Sequence, residues 1–118
     1  LSIKSFIMNN SIVVGIGNIY ANEALFLSGI NPKLKANKIS KLRYRKLIRS
    51  IETILSKAID KGGTTLRDFV NGNGMPGYFS NELKIYNRAG ESCIECKRKI
   101  KKIRQNQRST FYCAFCQT

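Results

Sequence analysis

The sequence predicts a mainly helical α+β chain, in which helices and turns over residues 1–90 precede a small β-ribbon at 91–118 tied together by four cysteines. Three observations carry this reading. Apolar residues recur at three- and four-residue steps through the first sixty positions, that periodicity is gone beyond Gly90, and the last stretch holds two C-x-x-C pairs around β-favouring residues. The chain has 118 residues, enough for one modest core plus a satellite too small to fold unaided. Its apolar stretches are far too short to cross a bilayer, so a soluble protein is expected.

Ser2 to Asn9 places Ile3, Phe6 and Ile7 at helical spacing, and Asn9-Asn10 stops the pattern. Two glycines, Gly15 and Gly17, then bracket an isoleucine just ahead of a second helix through Ile19, Ala21, Glu23, Ala24, Leu25 and Phe26. Gly29 sits where a glycine closes a helix. After the connector at Asn31-Pro32, Ser40 is placed to cap a longer helix. Its apolar stripe is Leu47, Ile48, Ile51, Ile54, Leu55, Ala58 and Ile59, ended by Gly62-Gly63. Leu66 to Val70 has the pattern of one short helical turn, and residues 71–77 are dense in turn formers. The composition shift near Gly90 marks the predicted boundary between the helical part and the cysteine-tied part.

Cys93 and Cys96 form one C-x-x-C pair, Cys113 and Cys116 the other, with sixteen residues between them. This spacing reads as a four-thiolate zinc site: each tight knuckle presents two sulfurs on one side, and two knuckles complete a tetrahedron. Four protein ligands leave no position for water, which makes the ion structural. A disulfide pair or a thioredoxin-like redox motif is the competing reading, but no secretory signal and no strand-helix-strand pattern accompany the cysteines. A cytosolic, reducing setting follows. A tail of roughly 25 residues cannot bury enough apolar area by itself, so without metal it is expected to be disordered.

The chain carries 21 Lys and Arg against 7 Asp and Glu, a formal charge of +14. A polyanion is the natural partner, although drift toward AT-rich codons would also raise the lysine content. The charge is clustered: seven basic residues fall within positions 97–108. Thr110, Phe111 and Tyr112 favour strand, so the run reads as two antiparallel strands with Arg108 near the tip, and phosphate contact is favoured over a merely solvated face.

Four motifs together resemble the formamidopyrimidine-DNA glycosylases, bacterial enzymes that remove oxidised purines from DNA. Residues 14–25, Val-Gly-Ile-Gly-Asn-Ile-Tyr-Ala-Asn-Glu-Ala-Leu, are similar to that family's helix-two-turns-helix signature. Gly62-Gly63-Thr64-Thr65-Leu66-Arg67-Asp68-Phe69, then Gly77-Tyr78-Phe79 through Leu83 and Tyr86, then Arg108-Ser109-Thr110 leading into Cys113, agree in order and spacing. The likeness covers nearly the whole chain. It departs from the common pattern at Asn87, Ala89 and Ser92, which lie outside the presumed contacts.

The resemblance implies a helix-two-turns-helix DNA-binding domain followed by a zinc finger, in a monomeric cytoplasmic protein acting on double-stranded DNA with an oxidised base or abasic site. Asn18 and Arg108 would grip the phosphates flanking the lesion, with Lys4 as a further phosphate contact. The physics agrees, since Gly15 and Gly17 allow close approach of backbone to phosphate ahead of a helix N-terminus, though a plain helix cap also suits Asn18. The segment from Asp68 to Tyr78 corresponds to the loop that closes over the extruded base, with Arg67, Asp68, Met75, Gly77 and Tyr78 as its recognition residues and Met75, Pro76 and Phe79 able to supply apolar contact.

In such enzymes an N-terminal proline amine is the nucleophile, a following glutamate serves as acid and base, and a lysine of the N-terminal domain assists. None of these is found here: the chain starts Leu1-Ser2, its two prolines are Pro32 and Pro76, and it has no histidine. The sequence therefore reads as the C-terminal piece of a longer enzyme, able to bind DNA and not to cut it, with Arg108 stabilising the departing phosphate in the intact protein. An endonuclease VIII-type enzyme for oxidised pyrimidines is the nearest alternative, disfavoured by Gly62-Gly63-Thr64-Thr65. A free-standing nucleic-acid-binding zinc ribbon and a protein-interaction ribbon are the non-enzymatic ones.

Overall fold

The computed structural model describes residues 1–9, 17–60 and 83–118, with the side chains of 58–60 left aside. The element order is α1 (Ile3–Met8), α2 (Asn18–Ser28), a 3-10 turn (Ala36–Lys38), α3 (Lys41–Asp60), β1 (Lys101–Gln105) and β2 (Arg108–Tyr112). This is the mainly helical α+β arrangement that the sequence predicts. Among the described residues no helix is long and apolar enough to cross a membrane.

Helix α1 starts where the Ser2 hydroxyl accepts the Ser5 amide at 3.2 Å, and it ends at Asn9 in extended backbone. It is anchored from below by the connector, because the Ile3 amide donates to the Leu34 carbonyl at 2.6 Å and the Ala36 amide to that of Leu1 at 2.9 Å. Helix α2 is the centre of the molecule. Packed between α1, α3 and β2, it buries Tyr20, Ala21, Glu23, Ala24, Leu25 and Phe26, which a one-sided surface helix would not do. Gly29 ends it at φ 74°: the Gly29 amide donates to Phe26 at 3.1 Å and the Ile30 amide to Leu25 at 3.0 Å, the paired bonds of a Schellman turn.

Ser40 caps α3 as expected, its hydroxyl accepting the Arg43 amide at 3.2 Å. Leu47, Ile51 and Ile54 face the core and Leu55 packs at its margin. Ile48, placed in the same stripe by spacing, is 52% exposed. At 100° per residue it lies a quarter turn from Leu47, and among the described residues no element covers that side of the helix.

Two apolar clusters result. The first joins Ile3, Ile7, Tyr20, Leu25, Ile30, Leu47 and Ile51 between the helices. The second lies under the ribbon and joins Ile100, Phe111, Cys93 and Cys113 to Phe26 of α2 and Ile85. The ribbon thus borrows part of its core from the helical part. The two strands pair antiparallel with Gln105 opposite Arg108, closed by Asn106 and Gln107, both at positive φ. β1 begins only at Lys101, because the preceding basic residues belong to the first cysteine knuckle and its exit, with Lys97 at φ 71° and a lone bridge between Ser92 and Lys99.

Candidate metal centre and nucleic-acid interface

The four sulfurs of Cys93, Cys96, Cys113 and Cys116 lie within 4.8 Å of one another. Cys93 Sγ is 3.8 Å from Cys116 Sγ, and Cys96 Sγ is 3.4 Å from Cys113 Sγ. A disulfide would need about 2.0 Å, whereas zinc bonds of about 2.3 Å in a tetrahedron place sulfurs about 3.8 Å apart. The knuckles are built alike. In each, the backbone folds back so that the amide four residues on, Lys97 or Gln117, donates to the first cysteine's carbonyl at 2.8 and 2.9 Å, respectively. The Glu95 amide points at Cys93 Sγ and the Cys116 amide at Cys113 Sγ. The Arg98 amide, with neighbouring thiols, draws the Cys96 thiol down to about 6, while burial pushes those of Cys113 and Cys116 up. Sulfurs this close would repel one another as thiolates, and a cation among them relieves that repulsion, which is the chemistry of a zinc site.

Lys4, Asn18 and Arg108, far apart in sequence, meet where α1, the start of α2 and the start of β2 converge. Lys4 Nζ donates to the Thr110 hydroxyl at 2.7 Å and to the Ser109 carbonyl at 3.3 Å. Asn18 Nδ2 donates to the same carbonyl at 3.1 Å. Arg108, the residue before, is exposed. Lys4 is buried, and burial together with the nearby Arg108 charge lowers its ammonium to about 8. Asn18 does not cap its own helix. Gly17 holds the cap position with no side-chain bond, Asn18 is the first helical residue, and its Oδ1 is buried without a partner among the described residues. Between α1 and the ribbon tip a cleft of about 290 Å³ opens, lined by Lys4, Ser5, Asn9, Asn106 and Arg108 among others. The Asn106 side chain closes one edge by donating to the Ser5 hydroxyl.

Arg67, Asp68, Met75, Gly77 and Tyr78, with Gly15, Pro76 and Phe79, lie outside the described residues.

Several positioning residues escape a periodicity reading. Glu23, within the apolar pattern of α2, is buried and accepts three backbone amides: Lys84 at 2.8 Å on Oε1, and Ile85 at 2.9 Å and Tyr86 at 2.8 Å on Oε2. Burial pushes its carboxyl up and the three amides pull against that shift. Asn22, one residue earlier, accepts the Phe111 amide at 2.7 Å and so fixes β2 to α2. Gln117 is buried, accepting the Cys113 amide at 2.8 Å and donating to the Ile30 carbonyl at 3.0 Å. The signal available beforehand was slight: polar residues set among buried neighbours, with no partner evident in the sequence.

Residues 1–70 match the formamidopyrimidine-DNA glycosylase H2TH domain, and residues 90–118 match the zinc finger found in FPG and IleRS. The four cysteines are accordingly a zinc-finger ligand set, holding one structural zinc ion. The chain is 60% identical over 117 residues to a formamidopyrimidine-DNA glycosylase of Vesicomyosocius okutanii, covering 99% of this chain and 44% of that protein. It is likewise 60% identical over 115 residues to one of Marinobacter nauticus, covering 98% and 43%. Among solved structures, a MutM complex with DNA containing carbocyclic 8-oxo-G superposes with a TM-score of 0.84 at 37% identity, over 99% of this chain and 41% of that one. Lactococcus lactis Fpg with abasic-site DNA gives 0.85 at 35% identity, over 99% and 42%. The chain thus spans less than half the length of the relatives it matches. On the helical match, the zinc-finger match and the agreement of fold, this chain belongs to the formamidopyrimidine-DNA glycosylase family.

Proposed function

We propose that this chain is the DNA-binding C-terminal half of a base-excision-repair glycosylase and AP lyase that removes oxidised purines, formamidopyrimidine and 8-oxoguanine, from double-stranded DNA in the bacterial cytoplasm. In this reading residues 1–90 are the helix-two-turns-helix unit and 91–118 the zinc ribbon. The observation that carries it is the convergence of Lys4 and Asn18 on the Ser109 carbonyl beside the exposed Arg108. It sets the exposed Arg108 one residue from the carbonyl held by Asn18, the first residue of α2, whose cap residue Gly17 makes no side-chain bond, and at such a helix N-terminus backbone amides and the helix dipole favour an anion.

In the intact enzyme, Asn18 and Arg108 would hold the phosphates flanking the lesion, and Lys4 would reinforce the positive field from beneath. Arg108 would also stabilise the phosphate that departs during strand scission. Residues Arg67, Asp68, Met75, Gly77 and Tyr78 would close over the extruded base. The nucleophilic amine and the acid-base glutamate would come from the catalytic domain of the intact enzyme, and the protein would act as a monomer. Zinc, when bound, supplies a rigid four-thiolate anchor. The residues around it do the positioning, with Asn22 fixing Phe111 and Lys4 fixing Thr110, so that the start of β2 holds a set place over α2.

The test is binding by fluorescence anisotropy to a duplex carrying an abasic-site analogue and to its undamaged counterpart. The zinc-loaded chain should bind without incision, and affinity should fall with added salt at a log-log slope of about −0.9 per neutralised phosphate. A salt-independent affinity would overturn the phosphate-gripping role.

A further inference from the structure

A second basic surface lies at the other end of α2. Asn18 opens that helix and Ser28 closes it, and eleven residues at 1.5 Å each put about 16 Å between them. At the Ser28–Gly29 end a groove of about 750 Å³ runs between the first half of α3 and the second cysteine knuckle. Its α3 wall is a single helical stripe, Leu42, Arg45, Lys46 and Arg49, at steps of three, one and three residues. Arg43 lies beside it and Cys116 stands on the opposite side. Among the described residues no Asp or Glu lines it. Arg43 is engaged, donating to the Gly29 carbonyl at 3.1 Å, whereas Arg45, Lys46 and Arg49 are exposed.

We propose that this groove is a docking site for an acidic protein segment that carries apolar residues. Charge complementarity requires an anionic occupant, and two further features choose among anions. Leu42 is 74% exposed, the most open of the large apolar side chains among the described residues, and it stands within the row of cations. A phosphate backbone gives it nothing to cover, whereas a leucine or phenylalanine between carboxylates does. The site is also concave, walled by a helix and a knuckle, which suits an extended peptide better than the convex flank of a duplex. The guanidinium forks of Arg45 and Arg49 match carboxylates in bidentate fashion. Because the groove is about 16 Å from Asn18, beyond the Debye length of about 8 Å at physiological salt, occupation of one site leaves the other available.

The probe is a fluorescein-labelled peptide of alternating acidic residues and leucines, titrated with the zinc-loaded full chain, free and saturated with a duplex carrying an abasic-site analogue. The peptide should bind equally well to both. Replacing Arg45, Lys46 and Arg49 together by Gln should weaken peptide binding by about tenfold or more while changing duplex affinity by less than about threefold, and Arg108→Ala should do the reverse. Leu42→Ala should weaken the leucine-bearing peptide and leave polyglutamate unaffected, a readout that does not depend on the charge variant. Displacement of the peptide by duplex would overturn the proposal. So would an equal loss of both ligands in the triple variant, which would make the groove part of the DNA surface, or a peptide affinity indifferent to the triple variant.

Discussion

The ammonium of Lys4 and the hydroxyl of Thr110 are joined at 2.7 Å across 106 positions of sequence, in a buried bond that ties the first helix to the zinc ribbon. Thr110 passes the bond on, donating to Gln105 Oε1 at 2.9 Å, and Gln105 Nε2 donates to the Pro32 carbonyl at 3.3 Å. The strand that begins with Arg108 is therefore held from two sides by groups outside the ribbon.

Lys4 makes stability depend on pH. Its pKa is lowered from 10.5 to about 8, so between these values the unfolded chain binds more protons than the folded one, and the contribution to stability rises with pH across that window. Below about pH 8 the cost of burying the charge is felt in full. Lys4→Met should remove this rise, so that the unfolding free energy from urea titration gains up to about 2 kcal/mol more in the parent than in the variant between pH 7.5 and pH 10. Parallel pH profiles would show that burial does not perturb Lys4.

Glu23→Ala should destabilise the protein by about 2 kcal/mol or more, since it strands the buried amide of Ile85 and the partly buried amides of Lys84 and Tyr86. Hydrogen exchange at those three amides should accelerate more than exchange within α3. A change below about 0.5 kcal/mol in the denaturation midpoint would mean that the carboxylate is not their partner in solution.

Metal removal should act first on the ribbon. Elemental analysis should give one zinc per chain, and chelation should collapse the amide dispersion of 91–118 while the helical signal persists. Exposure of Phe26 and Ile85, which share the ribbon's core, should also lower the helical part's unfolding temperature. Cys113→Ser should reproduce both effects. A metal-free protein with an intact ribbon spectrum would refute the structural role of zinc.

Arg108→Ala should weaken duplex binding and make the salt slope shallower by about 0.9, the loss of one phosphate contact, with zinc content unchanged. An unaltered slope would place Arg108 away from the phosphates.

The start of α3 at Ser40 and the end of α2 at Gly29 were legible because each is a local matter. Ser40 accepts an amide three residues on, and Gly29 takes up a positive φ that is cheapest for glycine. The cysteine pairs were legible for a similar reason, since knuckle geometry is set within four residues. Ile48 was misplaced because periodicity records which residues are apolar and says nothing of how wide a face is covered. Glu23, Asn22 and Gln117 carry no mark in the sequence, because their partners are backbone groups and every residue but proline offers the same ones.

By itself, then, the amino-acid sequence determined the helical class, the Ser40 cap and the Gly29 turn, the four-thiolate set and the basic run ahead of Arg108, all of which depend on spacing or composition. Only the tertiary structure decided that Lys4 is buried against Thr110, that Asn18 reaches the ribbon and leaves capping to Gly17, and that Phe26 belongs to the ribbon's core. These depend on which surfaces of α2 meet β2, a long-range packing outcome in which burial and hydrogen-bond satisfaction compete. No local pattern encodes the result of that competition.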